Sequence, residues 1–204
     1  MLAARNPGFY KFAASFSGIL QLSSFGMPQA IQFAVRDGGG YDSMKMFGPP
    51  SDPAWKEHDP YLMVDKLQGT SLYVSSGNGM VGPHDKPSDI PMLATNYSGV
   101  GLEMLSRVTS QQFAIQLNRK GIPGQANYRP SGTHTWPYWE FEMMQAWPQA
   151  AAALGLSRDA VACRVDGAFR KVWDANKATL GGCLTPSYPV AGGKAQDFAG
   201  GRMS

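Results

Sequence analysis

An α/β fold, with parallel strands and helices packed on the sheet, is predicted by three observations. Two short runs, "KFAASFS", apolar and aromatic, and "SLYVSS", apolar with a β-branched valine, have the character of buried strands, and glycine-bearing turns end both. A long stretch suited to helix, Leu93 to Lys120, follows the second run, and a third short run, "GQANYRPSG", follows that. Strand, crossover helix and strand in this order make parallel neighbours.

The opening residues "MLAARNPGFY" read as the last turns of a helix, broken at Pro7-Gly8 before a strand that ends at Ser17-Gly18. Short helices are expected between Leu20 and Phe47, with "RDGGGY" as a break. The proline-rich "FGPPSDPAWKEHDPYL" is expected to be an ordered but irregular loop, because proline removes a donor and fixes a dihedral. "MVGPHDKPSDIP" reads as a polar loop. Within the long helix, Leu102, Leu105, Val108, Phe113 and Leu117 are expected near one core-facing side. The third strand delivers His134 at its C-terminal end, and Trp139, Met143 and Trp147, four residues apart, are expected as a core-facing row on the next helix. Beyond Gly155 the character changes. "SRDAVACRVDGAFRKVWDANKA" predicts a serine-capped helix, and "LGGCLTPSYPVAGGKAQDFAGGRMS" is glycine-rich without a periodic pattern. We therefore divide the chain into a main domain, 1–155, and a C-terminal extension, 156–204.

Charged residues form 16% of the 204-residue chain and apolar ones 43%, which excludes a disordered polymer. The net charge of +3 is small and dispersed, so no basic stripe favours nucleic acid. No apolar run has the length of a membrane span. Near the N-terminus, Arg5 and Lys11 precede an apolar stretch, but Pro7, Gly8 and serines interrupt it; we read a mature segment and not a signal peptide. Cys163 and Cys183 suit either one disulfide, worth about 3 kcal/mol in an oxidising compartment, or two reduced thiols.

His134 sits in "SGTHTW", a turn of small residues ahead of an aromatic-rich helix. It is a structural turn histidine or a general base whose partners lie elsewhere in the chain. For a base on an α/β sheet the acid precedes the histidine, which makes Glu103 the candidate and Asp85 and Asp89 its rivals. The competing reading pairs Glu103 with Arg107, four residues on, as a surface ion pair. Ser15, Ser17, Ser71, Ser76 and Ser98 all lack the Gly-x-Ser-x-Gly setting of a nucleophile elbow. His58, His84 and His134 share no metal-ligand spacing, and "GNG" at Gly77 to Gly79 is too short to cradle a phosphate, so no metal or cofactor is expected.

Three longer stretches, "GYDSMKMFGPPSDPAWKEHDPYLMVDKL", "LYVSSGNG" and "SGTHTWPYWEFEMMQAWPQAAAAL", resemble the mycolyltransferase family, the antigen 85 type secreted esterases of mycolic-acid bacteria. The similarity runs from Leu2 to about Leu156, with Asp52 to Trp55 and Gly132 to Trp136 its most specific segments. It implies an incomplete α/β-hydrolase fold, namely the C-terminal strands and helices of a mainly parallel sheet. It also implies transfer of a mycoloyl chain between trehalose mycolates, or to cell-wall arabinan of the arabinogalactan, by a Ser-Glu-His triad in a secreted, cell-envelope enzyme. Glu103 then resembles the family's acid, His134 its base, and Trp136 the tryptophan beside the sugar site. The opening residues resemble the helix and strand after the nucleophile elbow, which puts the serine before Met1 and implies an isolated chain without transfer activity. A carboxylesterase of the same fold and a non-catalytic secreted protein that binds carbohydrate or matrix are the alternatives. The tail resembles the start of an LGFP-type cell-wall repeat through "LGGCLTP" and "GGKAQDFAGGRM".

Overall fold

The structure, a computed structural model, describes residues 1–85, 97–156, 164–185, 187–198 and 200–204. The chain forms two compact units, Met1–Met143 and Met144–Ser204. In the first, three parallel strands, β1 (Phe12–Phe16), β2 (Ser71–Ser76) and β3 (Gln125–Tyr128), lie in the order β1-β2-β3. The register pairs Phe16 with Ser75 and Ser76 with Tyr128, so all three strands end together at one edge of the sheet.

Helix α1 (Leu2–Arg5) precedes β1. Between β1 and β2 run α2 (Met27–Gly39), α3 (Met44–Phe47), α4 (Ala54–Glu57) and a 3-10 helix, Pro60–Leu67. The proline-rich stretch thus holds the short α4 and the start of the 3-10 helix, while residues 48–53 keep the irregular turns expected, so the expectation holds only in part. Pro53 stands at the N-terminal boundary of α4 and Pro60 in the first turn of the 3-10 helix, where a missing N–H leaves no helical bond unmade. Asp59 caps the 3-10 helix by accepting from Tyr61 N and also accepts from Ser23 N at 2.8 Å and Ser23 Oγ at 2.7 Å, tying the crossover to the loop after β1.

Helix α5 (Tyr97–Arg119) crosses from β2 to β3. Its inward side differs from the apolar face expected. Phe113 and Leu117 enter the main core with Val64, Leu67, Leu72, Val74 and Ile122, but N-terminal to them the buried positions are Glu103, Ser106, Thr109 and Ser110. Val108, expected inside, is 55% exposed. Two of the buried hydroxyls serve the chain leaving β1: Thr109 Oγ1 accepts from Leu20 N, and Ser110 Oγ donates to Gly18 O. Polar side chains took inward places because backbone groups there needed partners.

Helix α6 (Trp136–Ala153) begins in the first unit. Its buried row is Tyr138, Glu142, Ala146 and Ala150, while Met143 and Trp147 are exposed, so the four-residue spacing was right and the phase one position off. In the second unit α7 (Gly167–Ala175) is capped by Asp166, whose side chain accepts from Ala168 N, and α8 (Lys177–Leu180) follows. Residues 157–163, with the expected serine cap and Cys163, lie outside the described residues. Cys183 is disulfide-bonded.

The tail that lacked periodicity forms an antiparallel sheet, β4 (Tyr188–Val190), β5 (Gly193–Phe198) and β6 (Gly201–Met203). The Ala191-Gly192 turn, with Gly192 at φ 88°, closes the first hairpin, a signal the sequence carried. Gln196, fully buried, donates to Arg164 O and Thr185 O and accepts from Asp166 N, so a polar side chain fills a place where an apolar one was sought. Among the described residues no helix is long and apolar enough to cross a membrane.

Candidate active site

The residue that follows each parallel strand converges on one carboxylate. Ser17 follows β1, Gly77 follows β2 and Arg129 follows β3. Ser17 Oγ donates to Glu103 Oε1 at 2.8 Å, Gly77 N donates to the same oxygen at 2.5 Å, and Arg129 Nη2 lies 3.5 Å from it. The carboxyl edge of a parallel sheet is where α/β proteins place their ligands, because the loops leaving all strands meet there. Ser17 adopts φ 53°, a left-handed conformation that costs a non-glycine residue energy, and its N–H donates to Ser75 O.

The second oxygen of Glu103 is reserved for His134. Nδ1 of His134 lies 2.8 Å from Glu103 Oε2, and Glu103 is fully buried while His134 keeps 23% of its side chain exposed. The carboxylate accepts, so Nδ1 is the donor, and in the neutral form of the ring the lone pair then falls on Nε2. The sequence-distant pair is thus brought together. Arg107 does not form the expected surface pair with Glu103; its Nη1 donates to Gly77 O at 3.1 Å and Arg129 O at 2.7 Å. That arginine ties the β2 and β3 exit loops together.

Asp85, the rival acid, braces the histidine's loop instead of the histidine. It accepts from Thr133 Oγ1 at 2.5 Å, Tyr138 OH at 2.7 Å and Gly82 N at 2.7 Å. Asp89 lies outside the described residues. His58 stacks on Phe47 and its Nδ1 meets Ala54 O, and His84 packs against Tyr138 and Phe141, so neither joins the site.

The loop itself rests on the "GNG" turn. Gly79 N donates to Gly132 O and Gly132 N donates to Met80 O. A Cβ at Gly77 would fall 2.4 Å from Gly132 O. Gly77→Ala is therefore expected to cost about 1–3 kcal/mol by forcing two backbones apart, and to loosen the His134 contact. A lower urea midpoint together with weakening of the imidazole Nδ1 proton resonance would register both effects.

Aromatic rings line the exposed side. Trp139 meets the imidazole edge-on at 5.0 Å, and Trp136, 71% exposed, packs on Trp139 at 5.1 Å. Behind Glu103 a second carboxylate, Glu142, is fully buried; it accepts from Tyr73 OH at 2.6 Å, from Asn127 Nδ2 and from Arg129 Nη1. Sequence reasoning missed Ser17, Gly77, Arg129 and Glu142 as partners, although three of them share a readable signal, the first position after a strand.

Two phenols in this region report its burial. Desolvation, then the hydrogen bond to Glu142, pushes Tyr73 above the ordinary range, and desolvation, then the bond to Asp85, pushes Tyr138 up to about 12. Both groups favour the folded state below the unfolded tyrosine value of about 10, and this stabilisation is lost as pH rises toward the folded values. Thermal midpoints should fall above about pH 10, and phenolate absorbance from these two residues should appear together with unfolding.

Comparison with known proteins bears on the family and the fold. Residues 1–150 match the Esterase family. The chain is 36% identical over 157 residues to the diacylglycerol acyltransferase/mycolyltransferase Ag85C of Mycobacterium avium, covering 76% of this chain and 42% of the relative. To Ag85A of Mycobacterium tuberculosis it is 36% identical over 157 residues, covering 76% of this chain and 44% of that protein. The crystal structure of MPT51 (FbpC1) of Mycobacterium tuberculosis superposes with a TM-score of 0.57 at 26% identity, covering 77% of this chain and 55% of that one. The chain spans less than half the length of these curated relatives. Its parallel sheet, with helices between strands, is part of an α/β-hydrolase fold. The chain belongs to the Esterase family, in company with the antigen 85 type mycolyltransferases.

Proposed function

We propose that residues 1–155 supply the acid and base of a Ser-Glu-His acyltransferase of the cell envelope, which moves a mycoloyl group between trehalose mycolates or onto cell-wall arabinan. The observation that carries this reading is the 2.8 Å contact between buried Glu103 and partly exposed His134. In the proposed cycle His134 Nε2 takes the proton of an attacking serine hydroxyl, and Glu103 stabilises the imidazolium that results. The serine oxygen bonds to the acyl carbon, the sugar leaves with the proton returned by His134, and a second sugar hydroxyl reverses the sequence. Trp136 presents an apolar ring face on which a pyranose rests.

Among the described residues only Glu103 hydrogen-bonds the imidazole, and the one serine at the dyad, Ser17, donates to Glu103. The purified 204-residue chain is therefore expected to show negligible transfer, since loss of a triad serine costs on the order of 10⁶-fold in turnover. Joined to the amino-terminal half of an Ag85C relative, residues 1–155 should support transfer from trehalose monomycolate to trehalose. Hydrolysis without transfer by that chimera would make water the acceptor. A folded, sugar-binding chimera without acyl chemistry would replace this reading with a binding protein.

A further inference from the structure

The proton transfer above gives no role to the second buried carboxylate or to the guanidinium between the two. Arg129 is only 8% exposed. Its Nη1 donates to Glu142 Oε1, and its Nη2 faces Glu103 Oε1 at 3.5 Å. Neither Nη2 nor Nε makes a hydrogen bond among the described residues. The guanidinium lies over the Tyr138 ring at 4.9 Å; Tyr138 OH donates to Asp85, and Asp85 holds Thr133, the residue before His134.

An arginine placed only to neutralise Glu142 would turn its planar fork onto that carboxylate with two parallel bonds. Here one arm holds Glu142, whose other oxygen is taken by Tyr73, and the second arm is turned to Glu103. Together with Ser17 Oγ and Gly77 N it crowds Oε1 with donors, which leaves Oε2 as the acceptor for the imidazole. We propose, resting on the Glu103–His134 reading, that Arg129 is a positioning residue for the dyad: it clamps Glu103 Oε1 at the strand ends, with Glu142 as the anchor that holds the guanidinium in place.

The test separates a clamp from simple charge balance. In the 204-residue chain labelled with ¹⁵N-histidine, the Nδ1 proton of His134 should give a downfield, slowly exchanging resonance, reporting its bond to Glu103. In Arg129→Met this proton should exchange with solvent at least about tenfold faster, as the acceptor swings away and a charge-assisted bond weakens. That variant leaves Glu142 buried without its cation, so the double variant Arg129→Met/Glu142→Gln, which removes both charges and keeps an acceptor for Tyr73, provides the decisive arm. The clamp requires fast exchange in the folded double variant too. Slow exchange in Arg129→Met, or its return in the double variant, would overturn the clamp while leaving the dyad intact. A folded wild-type chain without the resonance would overturn the dyad itself, and the clamp with it.

Discussion

Glu103→Gln is expected to lower acyl transfer by about 10⁴-fold in the active chimera, the scale seen when the acid of a triad loses its charge but keeps its shape. The amide fits the same space, and its oxygen can still accept from Ser17 Oγ and Gly77 N. Its NH₂ group then faces the imidazole, where only an acceptor can hold Nδ1 protonated. The ring takes the opposite tautomer and Nε2 no longer offers its lone pair. The measurement is kcat/KM for transfer to trehalose, with substrate binding followed separately. A loss smaller than tenfold would remove Glu103 from the chemistry.

Glu142→Ala is expected to be the most destabilising substitution near the site, at about 3–5 kcal/mol. Glu142 is fully buried and receives donors from Tyr73, Asn127 and Arg129. Truncation strands a buried cation and a buried phenol in one step, and each costs more alone than the intact pair contributes. Denaturant unfolding should show the loss as a shifted midpoint with an unchanged slope. If Glu142→Ala fell within 1 kcal/mol of wild type, the Arg129–Glu142 contact would have to be absent in solution.

The sequence made the first two parallel strands readable because their interiors are largely apolar and their ends carry glycine or serine, and the third by its place after the long helix. The dyad was half readable. His134 stood out in a turn of small residues, while Glu103 competed with an ordinary helical pair to Arg107 until the family resemblance favoured it. The rest was hidden because it depends on which way a helix is rotated. Glu142 lies inside and Met143 outside, a difference of one position that no count of aromatic spacing decides. Arg129 was hidden for a different reason: a charged residue beside a strand end is ordinarily a solvated one, and only the three-dimensional neighbours give it two carboxylates. The tail hairpins escaped because Gln196 occupies the position an apolar residue would mark.

The long helix α5 keeps its two jobs on separate turns. Phe113 and Leu117 hold it to the core, and Glu103, the proposed acid, meets His134 more than two turns away. Apolar exchanges of similar volume at 113 and 117 should retune melting while leaving the rate of the proposed proton transfer alone, since both side chains belong to the apolar core cluster and not to the Glu103–His134 pair. Robustness and reactivity are then separately adjustable properties of a single rod, and a lineage or a designer can harden the protein without blunting it.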